Sequence, residues 1–277
     1  MCRHVLGVEP HPHPRRRCRP RRAGRAPLTG VGGRLAEVGP YFELRTGSIA
    51  DGAGFRPLAE LYDPAAPAAW ADRVEWVGGR LGTDEPRVAA SILYQGVASR
   101  LWSVALGAAV LGRVLPDLDP GRTHWRFPDT GPMELWTPDP VGTPVAADRS
   151  GIDALYDAVV TAQLIPLTRV TRAVVPVAER LLWGNAAAAL AGAARALDRH
   201  VAGTEPELTA TIRSFAAGML TRDRLRGMML ACRRTTCCLY YRVPGGGVCG
   251  DCVFHDNPPQ PPRPRLAALA LGHEGDH

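Results

Sequence analysis

Five of the seven cysteines fall within 21 residues near the carboxyl end, from Cys232 to Cys252. Four of them form the pattern C-C-x10-C-x2-C: Cys237, Cys238, Cys249 and Cys252. Thiolates gathered this way make a soft-donor site. Such sites select zinc, copper(I) or an iron–sulfur cluster over magnesium or calcium. The segment must fold so that these sulfurs can meet, and that demand shapes everything near it.

Structural zinc sites usually pair two C-x2–4-C knuckles, each tight turn supplying half of a tetrahedron. Cys249-Gly250-Asp251-Cys252 is such a knuckle, whereas Cys237-Cys238 is not. Adjacent side chains tend to diverge, so two neighbouring sulfurs reach one small ion only with unusual backbone. A two-iron cluster is larger and presents two metals, which accommodates divergent thiolates more readily. The intervening Pro244-Gly245-Gly246-Gly247 can take dihedrals closed to other residues. It can also bring backbone N–H groups close to sulfur, and such bonds tune cluster potential. The spacing favours a cluster and leaves zinc, a pair of disulfides, or a vicinal Cys237–Cys238 disulfide open.

The residues around these cysteines carry a resemblance. The run from Cys237 through Leu239-Tyr240-Tyr241-Arg242-Val243-Pro244 to Gly247, followed by Cys249-Gly250-Asp251-Cys252, resembles the C-terminal signature of FhuF-type ferric siderophore reductases. A weaker likeness is Leu182-Trp183-Gly184-Asn185, similar to an upstream Trp-Gly-Asn element of that family. Together they imply a family extent of roughly residues 40–256. The resemblance implies a [2Fe–2S] cluster held by Cys237, Cys238, Cys249 and Cys252. It also implies reduction of Fe(III) in a ferric siderophore of hydroxamate type. Adding one electron gives Fe(II), which a hard oxygen cage holds far more weakly, so reduction releases the metal. The alternatives are a non-catalytic [2Fe–2S] carrier or redox sensor, and a zinc-stabilised binding module.

Charge reads at first like a nucleic-acid signal, with a formal net of +6 and every basic residue an arginine. Its location argues otherwise. Residues 1–27 hold eight arginines and one acid, Glu9, so the rest of the chain carries a net charge of −1. Residues 1–30 therefore read as a disordered Arg/Pro-rich arm, a non-functional extension rather than a nucleic-acid interface. The arm lacks the apolar stretch of a secretory signal. Cys2 and Cys18 read as exposed thiols without a site role, and His11 and His13 as incidental. No apolar run approaches the ~18–20 residues of a membrane helix. The expected location is cytoplasmic, where thiols stay reduced and free to ligate metal.

Residues 31–231 are expected to form a helix-rich body with a small sheet, 232–256 the cluster-binding segment, and 257–277 a Pro-rich tail. The fold class is α+β and mainly α-helical, with a small antiparallel sheet. Tyr41–Arg45 reads as a short strand, Phe55–Glu60 as a helical turn and Trp70–Val77 as a short helix. Pro86 opens the clearest helix, whose apolar residues run from Val88 to Leu115 at helical spacing. Its Arg87, Arg100 and Arg113 read as a solvated edge. His124–Phe127 and Met133–Thr137 flank a Pro-Asp-x-Gly turn and read as a hairpin, Trp125 and Trp136 capping the core. Ser150 caps a helix to Ile165, and Pro166 begins another that Pro176 kinks. Leu182–Asn185 interrupts or joins the Ala-rich helix to His200. Thr204 caps one more, and a last helix from Arg222 to Ala231 leads into the cysteines.

Arg233, Arg234 and Arg242 either offset the negative cluster or lie on exposed surface. Tyr240 and Tyr241 are expected to pack under it, and Cys232 reads as a buried spare thiol. The chain shows no flavin or nicotinamide motif, so the electron donor is expected to be separate, such as a ferredoxin or flavin reductase.

Overall fold

A computed structural model describes residues 24–48 and 54–259 of the chain. Most of the arm, with Cys2, His11, His13 and Cys18, and most of the Pro-rich tail lie outside the described residues.

In chain order, strand β1 (Ala26–Pro27) leads to helix α1 (Val31–Val38), strands β2 (Arg45–Thr46) and β3 (Arg56–Pro57), and helices α2 (Leu58–Leu61) and α3 (Ala68–Leu81). The long helix α4 (Pro86–Leu111) follows, then β4 (Val114–Pro116), β5 (His124–Arg126), β6 (Glu134–Thr137) and β7 (Val141–Pro144). Helix α5 (Arg149–Tyr156) passes through a π-helical run (Asp157–Leu164) into α6 (Ile165–Val174). Helices α7 (Glu179–Val201) and α8 (Pro206–Leu220) complete the body. A two-stranded ribbon, β8 (Met229–Leu230) and β9 (Arg233–Arg234), and a 3₁₀ turn (Tyr240–Arg242) form the cysteine segment.

Helix α4 is the centre of the molecule. Pro86 occupies its first turn, where a missing N–H costs nothing. A surface helix has one apolar stripe, whereas α4 is apolar almost all round and is buried as such sequences must be. Helices α7, α3 and α1 pack on it. Gly107 shows how tightly: a Cβ there would stand 2.6 Å from Leu35 Cδ2 and 2.9 Å from Phe42 Cδ1.

The periodicity of α4 overruns its end. Arg113 takes a left-handed φ of 52°, and Val114–Pro116 leave the helix as β4, paired with β7. Arg100 is also not on a solvated edge. It is 2 % exposed, and its fork donates to the backbone carbonyls of Met133, Tyr41 and Glu43. Burial pulls its pKa down to about 10. An arginine can be buried when its donors are met, and here it ties two loops to α4. That role is invisible in the spacing, because the carbonyls lie 57 to 59 and 33 residues away.

The hairpin forms as expected, with His124 opposite Trp136 and Trp125 opposite Leu135. It belongs to a four-stranded sheet in the order β2-β6-β5-β3. All pairings are antiparallel except β2 on β6. A second sheet, β1-β7-β4, draws in Ala26 and Pro27. The folded body thus takes in residues that the charge pattern assigned to the arm, and Leu28 is buried. The strand expected at Tyr41–Arg45 begins only at Arg45.

Several helix boundaries differ from expectation. Asp148, not Ser150, caps α5 by accepting from the N–H groups of Ser150 and Gly151. Pro166 does not open a separate helix, because the wide π turn before it carries the chain past the missing N–H. Pro176 does not kink α6; the helix stops at Val174, as the residue before a proline disfavours helix. Leu182–Asn185 lies inside α7, and residues 222–228 make turns rather than a last helix.

Candidate metal centre

The cysteine segment crosses one end of the α4–α7 pair. Ser91 on α4 and Asn185 on α7 are fully buried and together receive it. Ser91 Oγ donates to the carbonyl of Cys238 at 2.7 Å. Asn185 Nδ2 donates to Ser91 Oγ at 2.9 Å and to Ser91 O at 3.0 Å. On its other side Asn185 Oδ1 accepts from Arg234 Nη1 at 3.0 Å.

Arg234 completes the chain of contacts. Its Nη2 donates to both carboxylate oxygens of Asp251 at 3.1 Å, and its Nη1 reaches Gln95 Oε1 at 3.3 Å. The backbone N–H of Arg234 also donates to the carbonyl of Asp251 at 3.0 Å. Asp251 lies between Cys249 and Cys252, so one buried guanidinium holds the knuckle while Ser91 holds the paired cysteines. The alternatives left open for the three arginines resolve differently. Arg234 is 2 % exposed and central. Arg233 pairs at the surface with Asp256, and Arg242 pairs with Glu85.

Gly184 explains why the Trp-Gly-Asn element sits where it does. A Cβ at that position would collide with Thr236 Oγ1 and lie 3.1 Å from Thr236 Cβ. The helix must be bare there for the segment to approach. Asn185 is the next residue, so close approach and polar anchor come from one turn of α7.

The sulfurs gather around Cys238. Its Sγ is 3.7 Å from Cys249 Sγ, and it also interacts with the Cys237 thiol. Cys238 and Cys252 are buried, while Cys237 and Cys249 are partly open to solvent. Leu239, with a left-handed φ of 67°, turns the chain sharply after the cysteine pair. Its N–H donates to Cys237 Sγ at 3.2 Å, and the N–H of Phe254 donates to Cys252 Sγ at 3.3 Å. The knuckle closes through Cys252 N–H to the Cys249 carbonyl at 3.0 Å.

The electrostatics favour a negative sulfur at Cys238. Hydrogen bonds from Cys237 and then Cys249, with Arg234 nearby, hold the Cys238 thiol down to about 2. Its two neighbours are pushed up, first by those same bonds and then by burial. Burial lowers the pKa of Arg234, but the charges of Cys238, Asp251 and Cys249 outweigh it and the net shift is upward.

The glycine loop plays a different part from the one expected. The N–H groups on sulfur include those of Leu239, Tyr240 and Phe254, none of them in the glycine run. Gly246 instead fits between the carbonyls of Tyr240 and Val243, which a Cβ would meet at 2.8 and 2.9 Å. Tyr240 stands at the surface, 37 % exposed, rather than packing beneath the sulfurs. Tyr241 packs edge-on to Phe254 at 5.9 Å. Cys232 is exposed, not buried.

Among the described residues, no three His, Cys, Asp or Glu side chains close on a single ion. A tetrahedral zinc site needs four donors around one centre. A two-iron core instead asks for a pair of thiolates at each metal, flanked by N–H donors and an offsetting cation. The four thiols, the N–H groups of Leu239 and Phe254, and Arg234 fit that group.

Residues 234–254 match the family model of the FhuF 2Fe-2S C-terminal domain. This segment is FhuF-type, and its cofactor is a [2Fe–2S] cluster. The match begins at Arg234 and ends at Phe254, so the guanidinium on the knuckle and the N–H on Cys252 are its two boundary residues. The Trp-Gly-Asn element and the rest of the body lie outside it. No curated protein matches the chain.

Four residues that position the FhuF-type segment were not singled out from sequence: Ser91, Gln95, Asp251 and Glu85. Ser91 and Gln95 give no signal of their own, being two of several polar positions scattered along α4. Asp251 was visible only as a spacer in the knuckle. Glu85 precedes Pro86 at the start of α4, and its bidentate grip on Arg242 at 2.9 Å spans 157 residues.

Proposed function

We propose that Cys237, Cys238, Cys249 and Cys252 hold the two irons, and that the chain reduces Fe(III) in ferric siderophores by one electron. When bound, a [2Fe–2S] cluster supplies and accepts single electrons. The chain's residues prepare for that in three ways. Arg234 places a buried positive charge beside sulfurs that would otherwise repel added negative charge. The Leu239 and Phe254 N–H groups stabilise charge on Cys237 and Cys252. The partial exposure of Cys237 and Cys249 leaves one side of the site open to a donor and an acceptor.

The substrate is an iron complex, proposed as hydroxamate type, in the cytoplasm. Fe(III) is hard and matched to oxygen donors; Fe(II) is softer and less charged, so the same cage lets it go. Electrons are proposed to come from a separate protein, such as a ferredoxin or a flavin reductase. The 232–256 segment is proposed as the redox unit and the helical body as its support.

One observation carries the reading: Cys238 and Cys249 stand 3.7 Å apart beside Arg234, within the stretch that matches the FhuF 2Fe-2S domain. The test is an anaerobic preparation with iron, sulfide and zinc quantified, then reduced with dithionite and mixed with a ferric trihydroxamate. Two irons and two sulfides per chain, and reoxidation on mixing, support the proposal. A zinc-loaded, colourless protein would sink it. A cluster that stays reduced would leave a carrier or sensor.

A further inference from the structure

A groove of about 340 Å³ runs between α4, α7 and the loop at residues 38–42, and ends at Asp251 of the knuckle. Its polar side is a single row on α4: Gln95, Ser99 and Ser103, spaced by four residues and therefore stacked on one face. The opposite side is built from alanines of α7 and Gly192, with Arg195 at the rim.

Ser103 is the informative member. It is 3 % exposed and lines the groove, yet its hydroxyl has no hydrogen-bond partner among the described residues. A serine inside a helix ordinarily bonds back to the carbonyl four residues earlier. Thr168 and Thr171 do so in this molecule, at 2.7 Å each. Ser99 likewise lacks a partner, and the Gln95 amide uses only its oxygen, towards Arg234. Three polar groups in a row thus face a trough floored with methyl groups. Open to the groove and unclaimed by protein partners, these groups are free to meet the polar atoms of a ligand.

We infer that this groove binds one face of the ferric siderophore, with Gln95, Ser99 and Ser103 meeting amide and hydroxamate groups and the alanine side meeting methylene spacers. The inference rests on the reductase reading above. The groove's size falls in the range of small-molecule sites, which are mostly apolar with a few placed polar groups. Its end at Asp251 brings the ligand beside the segment that holds the sulfurs. The same Gln95 that borders the ligand also touches Arg234, so the groove and the metal centre share a wall.

The gallium(III) complex of a linear trihydroxamate tests this, because gallium keeps the shape of the ferric complex and accepts no electron. Full-length oxidised protein is titrated with it, alongside Ser99→Leu and Gly192→Leu, each of which fills the trough from a different helix. Folding is checked by circular dichroism and by the visible spectrum of the cluster. Saturable binding to the unsubstituted chain, weakened at least tenfold in both variants, is the expected result. Failure of the unsubstituted chain to saturate, or equal binding by two folded variants, overturns the groove. The ferric complex is then mixed with reduced protein. Binding of gallium without reoxidation by iron would overturn the reductase reading and leave the groove standing. Reoxidation without gallium binding would do the reverse.

Discussion

Asn185 Oδ1 accepts a hydrogen bond from Arg234 Nη1 at 3.0 Å, deep in the contact between the helical body and the cysteine segment. The same amide donates to Ser91, which in turn holds Cys238. Asn185→Leu would leave a charged donor short of a partner and remove both anchors. The expected cost is about 2 kcal/mol, the range for hydrogen bonds to charged groups. Urea unfolding measures it, and iron content after desalting should fall in parallel.

Arg234 and Asp251 form a buried pair, with side chains 1 % and 10 % exposed. Removing one partner of such a pair costs about 3–5 kcal/mol, because the other is left charged and unmatched. Arg234→Leu should show that loss, whereas Arg234→Lys keeps the charge but not the two-pronged fit, and should lose less. Redox titration should place the potential of Arg234→Leu below that of Arg234→Lys. Equal potentials would mean that Arg234 holds shape alone.

Gly184→Ala should destabilise the protein by about 1–3 kcal/mol through overpacking against Thr236. Thr236 Oγ1 is buried with no hydrogen-bond partner, so Thr236→Ala should be nearly neutral by itself. Combining the two should recover part of the loss. A coupling of about 1 kcal/mol in the double-mutant cycle is expected for residues in direct contact, and strict additivity would refute the contact.

Substitution of Cys237, Cys238, Cys249 or Cys252 by serine should each abolish the visible absorption of the anaerobically purified protein. Cys232→Ser should leave it intact, since that thiol is exposed and lies outside the C-C-x10-C-x2-C pattern. Iron and sulfide assays provide the check.

Glu85 carries a pH dependence of known sign. The hydrogen bond from Arg242, offset in part by burial and aided by Arg87, holds its carboxyl below the ordinary value of 4.5. A depressed carboxyl stabilises the folded state fully above that value, and the contribution disappears as the pH falls through the lower, folded-state pKa. Glu85→Gln should therefore lower stability at pH 7, and the difference from the unsubstituted protein should shrink as the pH falls below 4.5. Thermal unfolding across that range would reveal it.

What was legible in the sequence follows from what each signal needs. The four cysteines declare themselves because their chemistry and spacing are local. The hairpin was legible for the same reason: the turn at Pro128–Gly131 and its flanking aromatic runs are contiguous. Arg100 was not, because a buried arginine is indistinguishable from a surface one until its three carbonyls converge from distant loops. The end of α4 was missed because Val114 and Leu115 suit a buried strand as well as a buried helix. Asn185 was noticed only through its neighbours Trp183 and Gly184. Its task, joining two helices to both halves of the metal segment, exists only in three dimensions.

The polar anchors of the cysteine segment are lodged in α4 and α7, more than forty residues upstream at the nearest. Cut out as a peptide, the segment would lose the counterparts of Arg234 and of the Cys238 carbonyl together. It is therefore not a portable cassette: grafting it onto another scaffold would require transplanting a serine, an asparagine and a bare glycine on a matched helix pair as well.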